Sequence, residues 1–269
     1  MIINHNINAM NAHRNLALNN TMQGKSSEKL SSGYRINRAA DDAAGLSISE
    51  KMRAQIKSLS QAQRNTQDGI SLVQTAEGAM NEVSDMLTRM KELATQANNG
   101  TYNTTDLKAM DNEYQKLATS ITTDIAKNTK FNGITLLNGS TGTVSIQTGD
   151  NSADVVKIDL SKANISTLSF TGISTAASAK SALAEIDTAI GSVNDGRSEL
   201  GAVQNQLEHR YNNTASTTEN LQAAESRIRD TDMASEMMAY SKFNILQQAA
   251  TAMLAQANQA PQGVLQLLH

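Results

Sequence analysis

Residues 72–97 read LVQTAEGAMNEVSDMLTRMKELATQA, and within them Leu72, Ala76, Ala79, Val83, Met86, Met90, Leu93 and Ala97 recur at alternating spacings of four and three. An apolar position every three to four residues is the heptad of a helix that buries one stripe against another helix. Met52, Ile56 and Leu59 continue a similar stripe upstream, so the pattern predicts one helix from about Ala43 to Asn98. At 1.5 Å per residue such a rod is about 75 Å long, which exceeds ordinary globular helices and implies a bundle or coiled coil. Asn98-Asn99-Gly100 closes it, with a chain reversal expected.

Outward from this rod the same grammar repeats. A helix from about Thr105 to Lys127 carries Leu107, Met110, Tyr114, Leu117, Ile121 and Ile125 on one face. A longer one, about Ala176 to Arg229, carries Leu183, Ile186, Ile190, Val193, Leu200, Val203, Leu207, Tyr211, Leu221 and Ile228, with Thr214 and Thr218 at seam positions. Polar seam residues weaken packing and fix register. Between these helices the period changes. Asn132-Gly133 and Asn138-Gly139 are tight-turn dipeptides, while Val144 and Ile146, then Val156, Ile158 and Leu160, alternate with polar residues. Short strands or hairpins are expected at about 131–171.

The two ends carry a further pair of helices. Ile3, Ile7, Met10 and, after Arg14, Ala17 begin a heptad; Ala239, Phe243, Leu246, Ala250, Met253, Ala257 and Ala260 continue one near the other end. The first helix is expected from about Asn4 to Leu30, before Ser31-Ser32-Gly33-Tyr34. The last is expected to reach about Gln259, before Pro261 and Gly263. Connectors at about 35–45 (RINRAADDAAG) and 229–233 (RDTDM) divide these helices from the central bundle. The Asp41-Asp42 pair suits the start of the following helix, where carboxylates complement the dipole. The reading is a mainly α fold: a long helical bundle with a small β-hairpin region and the terminal helices paired as an inner layer. Residues 1–42 and 230–269 are the two halves of that inner layer, and 43–229 the outer bundle.

A lone amphipathic helix is marginal in water, and Ile245, Ala249 and Ala252 make the last helix apolar on a second side. A helix apolar on two sides is buried in a larger core or shared between copies. The expected polymerisation interface is therefore Ile3, Ile7 and Met10 with Phe243, Leu246, Met253 and Leu254. The methionines Met86, Met90, Met233, Met237 and Met238 read either as filler of irregular core packing or as an adaptable contact surface.

Composition narrows the function classes. Aromatics are 3% with no Trp, net charge is −3, and cysteine is absent. A thin core between long helices follows, with neither a disulfide framework nor a basic patch for nucleic acid. The opening residues lack the basic and apolar regions of a Sec-type signal peptide, and no apolar run is long enough to span a membrane. Histidines at 5, 13, 209 and 269 form no i, i+4 metal pair. Nucleophile-elbow, Walker and dinucleotide motifs are missing. The sequence defends no catalytic residue, metal site or cofactor.

MIINHNINAMNA, Glu28–Ile56 (EKLSSGYRINRAADDAAGLSISEKMRAQI) and Arg64–Val83 (RNTQDGISLVQTAEGAMNEV) resemble the N-terminal region of bacterial flagellins. Leu200–Arg210, Glu225–Met237 and Ile245–Leu268 resemble the C-terminal region. The resemblance implies a minimal filament subunit without large variable outer domains. It implies terminal helices that order on assembly, unfolded export by the flagellar type III route, and an extracellular location in the filament. Implied partners are further copies of the chain, an export chaperone, the filament cap and hook–filament junction proteins. A host Toll-like receptor is also implied, with Arg89, Leu93 and Glu113 as candidate contacts by motif position. Rival readings are a junction protein, a filament-displayed metallopeptidase, for which no insert is present, and a signalling coiled coil.

Overall fold

The computed structural model describes residues 6–267, with side chains over 6–259. Six α-helices and four short strands follow one another: α1 (Ile7–Ser32), α2 (Ala43–Ala97), α3 (Thr104–Thr119), a π-helical turn (Ser120–Ile125), α4 (Ala126–Asn128), β1 (Lys130–Phe131), β2 (Ile134–Thr135), β3 (Thr143–Gln147), β4 (Val155–Asp159), α5 (Ala176–Arg229) and α6 (Met233–Leu267). Residues 55–219 form one compact unit; those up to 54, with those from 220 onward, form the other. The divisions fall inside α2 and α5, not at the connectors.

The 55–219 unit holds the hydrophobic core. Along α2 the fully buried positions are Val73, Ala76, Met80, Val83, Leu87, Met90, Ala94 and Ala97. They alternate by three and four, as the heptad requires. Four of them belong to the stripe read from sequence. Ala79 and Met86, expected at its centre, sit half-buried on its flank, because the stripe is wide enough to pack on two neighbours and two phases of the heptad are both apolar. The segment of α5 in this unit runs antiparallel to that of α2: Gln63 Nε2 donates to Thr218 Oγ1 at 3.3 Å, and Lys91 Nζ meets Asp187 at 2.6 Å. Thr214 is buried and donates to the Thr148 carbonyl at 3.3 Å, so this polar seam residue is satisfied rather than orphaned.

On α3 the buried residues are Leu107, Tyr114 and Ala118, followed by Ile121 and Ala126. The last step of five residues is the mark of the π-helical turn. The extra residue keeps both Ile121 and Ala126 inward, where an uninterrupted α-helix would swing one of them away. Asn103 caps α3, its Oδ1 accepting from the amides of Thr105 and Asp106.

The β region occupies the expected stretch. Asn132 and Gly133 both have positive φ, 47° and 81°, as a two-residue turn between twisted strands demands. They join β1 to β2 with Phe131 opposite Ile134. β3 and β4 pair antiparallel with Ser145 opposite Lys157. The β4 face with Val156 and Ile158 is buried in the core.

In the other unit α1 packs antiparallel on α6: Asn6 reaches Ala257 at one end, and Lys29 faces Glu236 at the other. α1 ends at Gly33, whose left-handed conformation (φ 74°) lets its N–H bond the Lys29 carbonyl. Asp42 Oδ1 accepts from the Gly45 amide at 2.8 Å, so this carboxylate does start α2. The expected stop of the last helix at Gln259 is corrected, since α6 continues through Pro261 to Leu267.

At Gly196 of α5 a Cβ would lie 2.7 Å from Met80 Cε and 2.9 Å from the Lys162 carbonyl oxygen. The methionine tip can yield, but the backbone oxygen cannot do so without moving its loop. Gly196→Val is therefore expected to destabilise this unit by about 1–3 kcal/mol, read as a lowered unfolding midpoint in circular dichroism.

Candidate functional site

The α1–α6 pair is the least buried part of the molecule. Among the described residues of its unit, Ile36 is the one fully buried hydrophobic side chain. The seam of α1 consists of Ala9, Ala12, Leu16, Asn19, Gln23, Ser26 and Leu30; that of α6 of Glu236, Tyr240, Phe243, Gln247, Ala250, Leu254 and Ala257. Both follow three-four spacing, but small and polar residues hold nine of the fourteen positions. The bulk lies outward. Ile7, Met10, Leu18, Met22, Met233, Met237, Met238, Ile245, Leu246 and Met253 are between 39% and 69% exposed. An open groove of about 700 Å³ runs between the helices, lined on α1 by Asn8, Asn11 and Asn15 and on α6 by Leu246, Ala249 and Met253.

Covering a Leu, Ile or Met side chain fully is worth roughly 1.5–3 kcal/mol. Ten half-exposed ones leave on the order of 10 kcal/mol of burial unrealised in the isolated chain. Large apolar side chains left exposed in this number on one helix pair mark an interaction surface.

Each residue of the expected polymerisation interface can now be placed. Ile7 and Met10 stand on the side of α1 away from α6, while Leu246 and Met253 are exposed along the groove between the helices. Phe243 and Leu254 are half-buried in the seam itself. Ile3 lies outside the described residues. The terminal heptads read from sequence thus mix two surfaces. Ile7, Met10, Arg14 and Ala17 are all exposed, each two residues before a position that meets α6 and so on roughly the opposite side of the helix. Leu18 and Met22 extend the outward face and fall outside the heptad that sequence periodicity selected.

The two methionine readings separate. Met90 is fully buried and Met86 packs against the core, whereas Met233, Met237 and Met238 are 48%, 52% and 69% exposed.

Asn6 ties the ends of the pair together. Its Oδ1 accepts from the Ala9 amide at 3.1 Å and caps α1. Its Nδ2 donates to the Ala257 carbonyl at 2.7 Å. In a regular helix that carbonyl would accept from the residue four positions later, which here is Pro261. Proline has no N–H, so the Asn6 amide supplies the donor that the sequence of α6 withholds. It thereby offsets the hydrogen bond that a proline removes from inside a helix. The signal was present in sequence as Pro261 four residues after Ala257, but its distant partner was not.

The connectors meet in a clamp. Tyr34 and Asp230 form a β-bridge, with the Arg35 amide on the Arg229 carbonyl (2.7 Å) and the Thr231 amide on the Gly33 carbonyl (3.0 Å). The Arg229 guanidinium lies 4.8 Å over the Tyr34 ring and donates to Glu50 Oε1 at 2.6 Å. That hydrogen bond, opposed by some desolvation, holds the Glu50 carboxyl below its ordinary range. Arg38 grips Glu28 with two donors, 3.0 and 3.2 Å. Asp41 accepts from the amides of Arg38 and Asn37, which lowers its pKa in the same way.

The expected receptor contacts lie on the 55–219 unit. Arg89 donates to Glu92 and to Glu113, each at 3.0 Å, and all three side chains are about half exposed. Leu93 is 2% exposed and faces the core, as its heptad position requires. His13 and His209 are exposed, while His5 and His269 lie outside the described residues. Among the described residues no cluster of three His, Cys, Asp or Glu side chains suits a metal ion. Among the same described residues no helix is long and apolar enough to cross a membrane.

Long paired helices, a connector clamp and unpartnered terminal faces define a self-assembling structural subunit. Residues 3–142 match the bacterial flagellin N-terminal helical region, and 183–268 the C-terminal helical region. A flagellin of Halalkalibacterium halodurans is 55% identical over 272 residues, covering both chains fully. The flagellar filament 33 kDa core protein of Treponema phagedenis is 45% identical, again over the whole of both chains. The crystal structure of Bacillus cereus flagellin superposes with a TM-score of 0.52 at 38% identity, over 60% of this chain and 94% of that one. The chain belongs to the bacterial flagellin family, the structural subunits of flagellar filaments.

Asn6→Asp retains the cap on Ala9 but removes the donor to Ala257. It is expected to weaken protection of the amides after Ala257 by about 1–2 kcal/mol in hydrogen exchange. Pro261→Ala in the same chain restores protection by returning the backbone N–H. Equal effects of Asn6→Asp with and without Pro261 would show that the two residues act independently.

Proposed function

We propose that this flagellin polymerises by burying the outward faces of α1 and α6 against the same helices of neighbouring copies. The product is a helical filament that transmits motor torque for swimming. The observation that carries the reading is the placement of Ile7, Met10, Ile245, Leu246 and Met253 on solvent while Asn19, Gln23 and Gln247 occupy the intrachain seam. Within one chain this arrangement wastes apolar area; between chains it is a packing surface. The terminal segments, residues 1–42 and 230–269, are the polymerising parts, and the bundle between them carries the subunit's own core.

The subunit reaches its extracellular site unfolded through the flagellar type III route, attended by an export chaperone. It joins the filament between hook–filament junction proteins and a distal cap. Supporting this route are the absence of cysteine, which leaves no disulfide to obstruct threading, and helices whose local contacts favour rapid refolding.

A host Toll-like receptor recognises the surface around Arg89 and Glu113. Their ion pair is half exposed, and Leu93 beneath it fixes the helix rather than meeting the receptor. Arg89→Ala is expected to lower receptor signalling at least about tenfold, the scale of a lost interfacial arginine anchor. A variant signalling as well as the parent would remove this proposal.

Met10→Lys with Met253→Lys places charge on the outward face. Filament yield, read by electron microscopy and sedimentation, is expected to fall at least about a hundredfold, because buried unpaired charge costs several kcal/mol. The unfolding midpoint of the 55–219 unit stays unchanged. Removing the chain from Ala234 onward gives the same outcome: a folded bundle that does not elongate filaments. Polymerisation by either protein would contradict the assignment.

A further inference from the structure

The twelve methionines are the chain's only sulfur atoms, since it has no cysteine. Met1 lies outside the described residues, and the burial of the other eleven divides by helix. Met10, Met22, Met233, Met237, Met238 and Met253 are between 44% and 69% exposed, and all six stand on α1 or α6. Met80 and Met90 of α2 are fully buried, Met86 and Met110 pack against the core, and Met52 is half-buried. Oxidation of a thioether follows its access to solvent, so this partition makes the terminal helices selectively oxidisable.

The position of these thioethers gives the chemistry a consequence. Met10 is exposed beside Ile7 on α1, and Met253 is exposed on α6, where with Leu246 it lines the groove between the helices. A sulfoxide is polar and accepts hydrogen bonds where the thioether was apolar. Burying it without a donor costs roughly 1–3 kcal/mol per site, so several in each subunit, repeated at every interface, oppose assembly strongly. Leu18 and Leu246 offer no comparable handle.

We propose that Met10, Met22, Met233, Met237, Met238 and Met253 form a reversible oxidation site for peroxides, and that their conversion to sulfoxides blocks polymerisation of the free subunit. The thioether lone pair attacks one peroxide oxygen. The S–O bond forms as the O–O bond breaks, and the sulfur gives up two electrons. The departing hydroxide takes the remaining peroxide proton and leaves as water. Reduction back to the thioether needs a dithiol, which is oxidised to its disulfide as the sulfoxide oxygen leaves as water. Once a subunit is assembled its outward face is covered, so filaments resist the treatment that disables monomers. This inference rests on the proposed assembly surface.

The test treats full-length monomer with hydrogen peroxide and follows each methionine by peptide mass spectrometry. The six terminal-helix methionines are expected to gain oxygen at least about tenfold faster than Met80 and Met90. The oxidised monomer is expected to lose at least about tenfold in polymerised yield. Treatment with methionine sulfoxide reductases A and B and dithiothreitol returns that yield. A chain with all six replaced by Leu polymerises equally well before and after peroxide; if that chain does not polymerise at all, the reductase recovery decides. Equal oxidation of Met80 and Met90, or undiminished polymerisation of the oxidised monomer, overturns the proposal. Failure of untreated protein to polymerise sinks the assembly reading and with it the block, while the mass spectrometry still decides the oxidation sites.

Discussion

Apolar area on α1 and α6 that the chain cannot cover by itself is the constraint on which the rest depends. Two helices whose seam sets Ala9, Ala12, Asn19, Gln23, Gln247 and Ala250 beside Leu16, Tyr240, Phe243 and Leu254 gain less from each other than a fully apolar seam would give. Ten large apolar side chains on the same helices stay 39% to 69% exposed. On the proposed assembly surface that area becomes favourable only when neighbouring copies cover it, and its burial must then offset the rigid-body freedom lost on association.

The rest of the structure suits that arrangement. The 55–219 unit has its own core, from Ile70 and Val73 on α2 to Val203 and Leu207 on α5, so folding of the subunit does not wait for assembly. The connectors hold the α1–α6 pair to the starts and ends of the long helices through several independent contacts. These are the Tyr34–Asp230 bridge, the Arg229–Glu50 ion pair, and the Asp42 cap on α2. Single exposed ion pairs contribute little; here the bridge, the cation–π stack and the ion pair share Arg229 and Tyr34. Asn6 adds a contact at the far end of the pair, where Pro261 leaves the Ala257 carbonyl free.

Much of this was legible in the sequence, for identifiable reasons. The heptad over 72–97 located α2 to within a residue because nothing interrupts it, and Asn98-Asn99-Gly100 stops it. Asn132-Gly133 located the first hairpin because that dipeptide tolerates positive φ at both positions. The heptad phase was less legible: Ala79 with Met80, and Met86 with Leu87, are adjacent apolar pairs, and periodicity alone cannot say which member faces the centre. The π-helical turn at Ser120–Ile125 was hidden because Ile121 and Ile125 satisfy an ordinary helical spacing. Proline misled at 261, since its partner Asn6 is remote in sequence. At the ends, the heptad visible in Ile7 and Met10 marked a face that the structure leaves exposed, not the α1 positions that meet α6. Arg89 and Glu113 are legible only through the resemblance; their ion pair joins residues 24 apart in sequence and leaves no local signal.

Residue-resolved hydrogen exchange on dilute monomer and on assembled filament tests the central claim most directly. Amides of α1 and α6 should exchange far faster in the monomer than those of Val73–Ala97 and Ile186–Leu207, and should become comparably protected in the filament. Terminal helices already as protected in the dilute monomer as the 55–219 core would contradict the account.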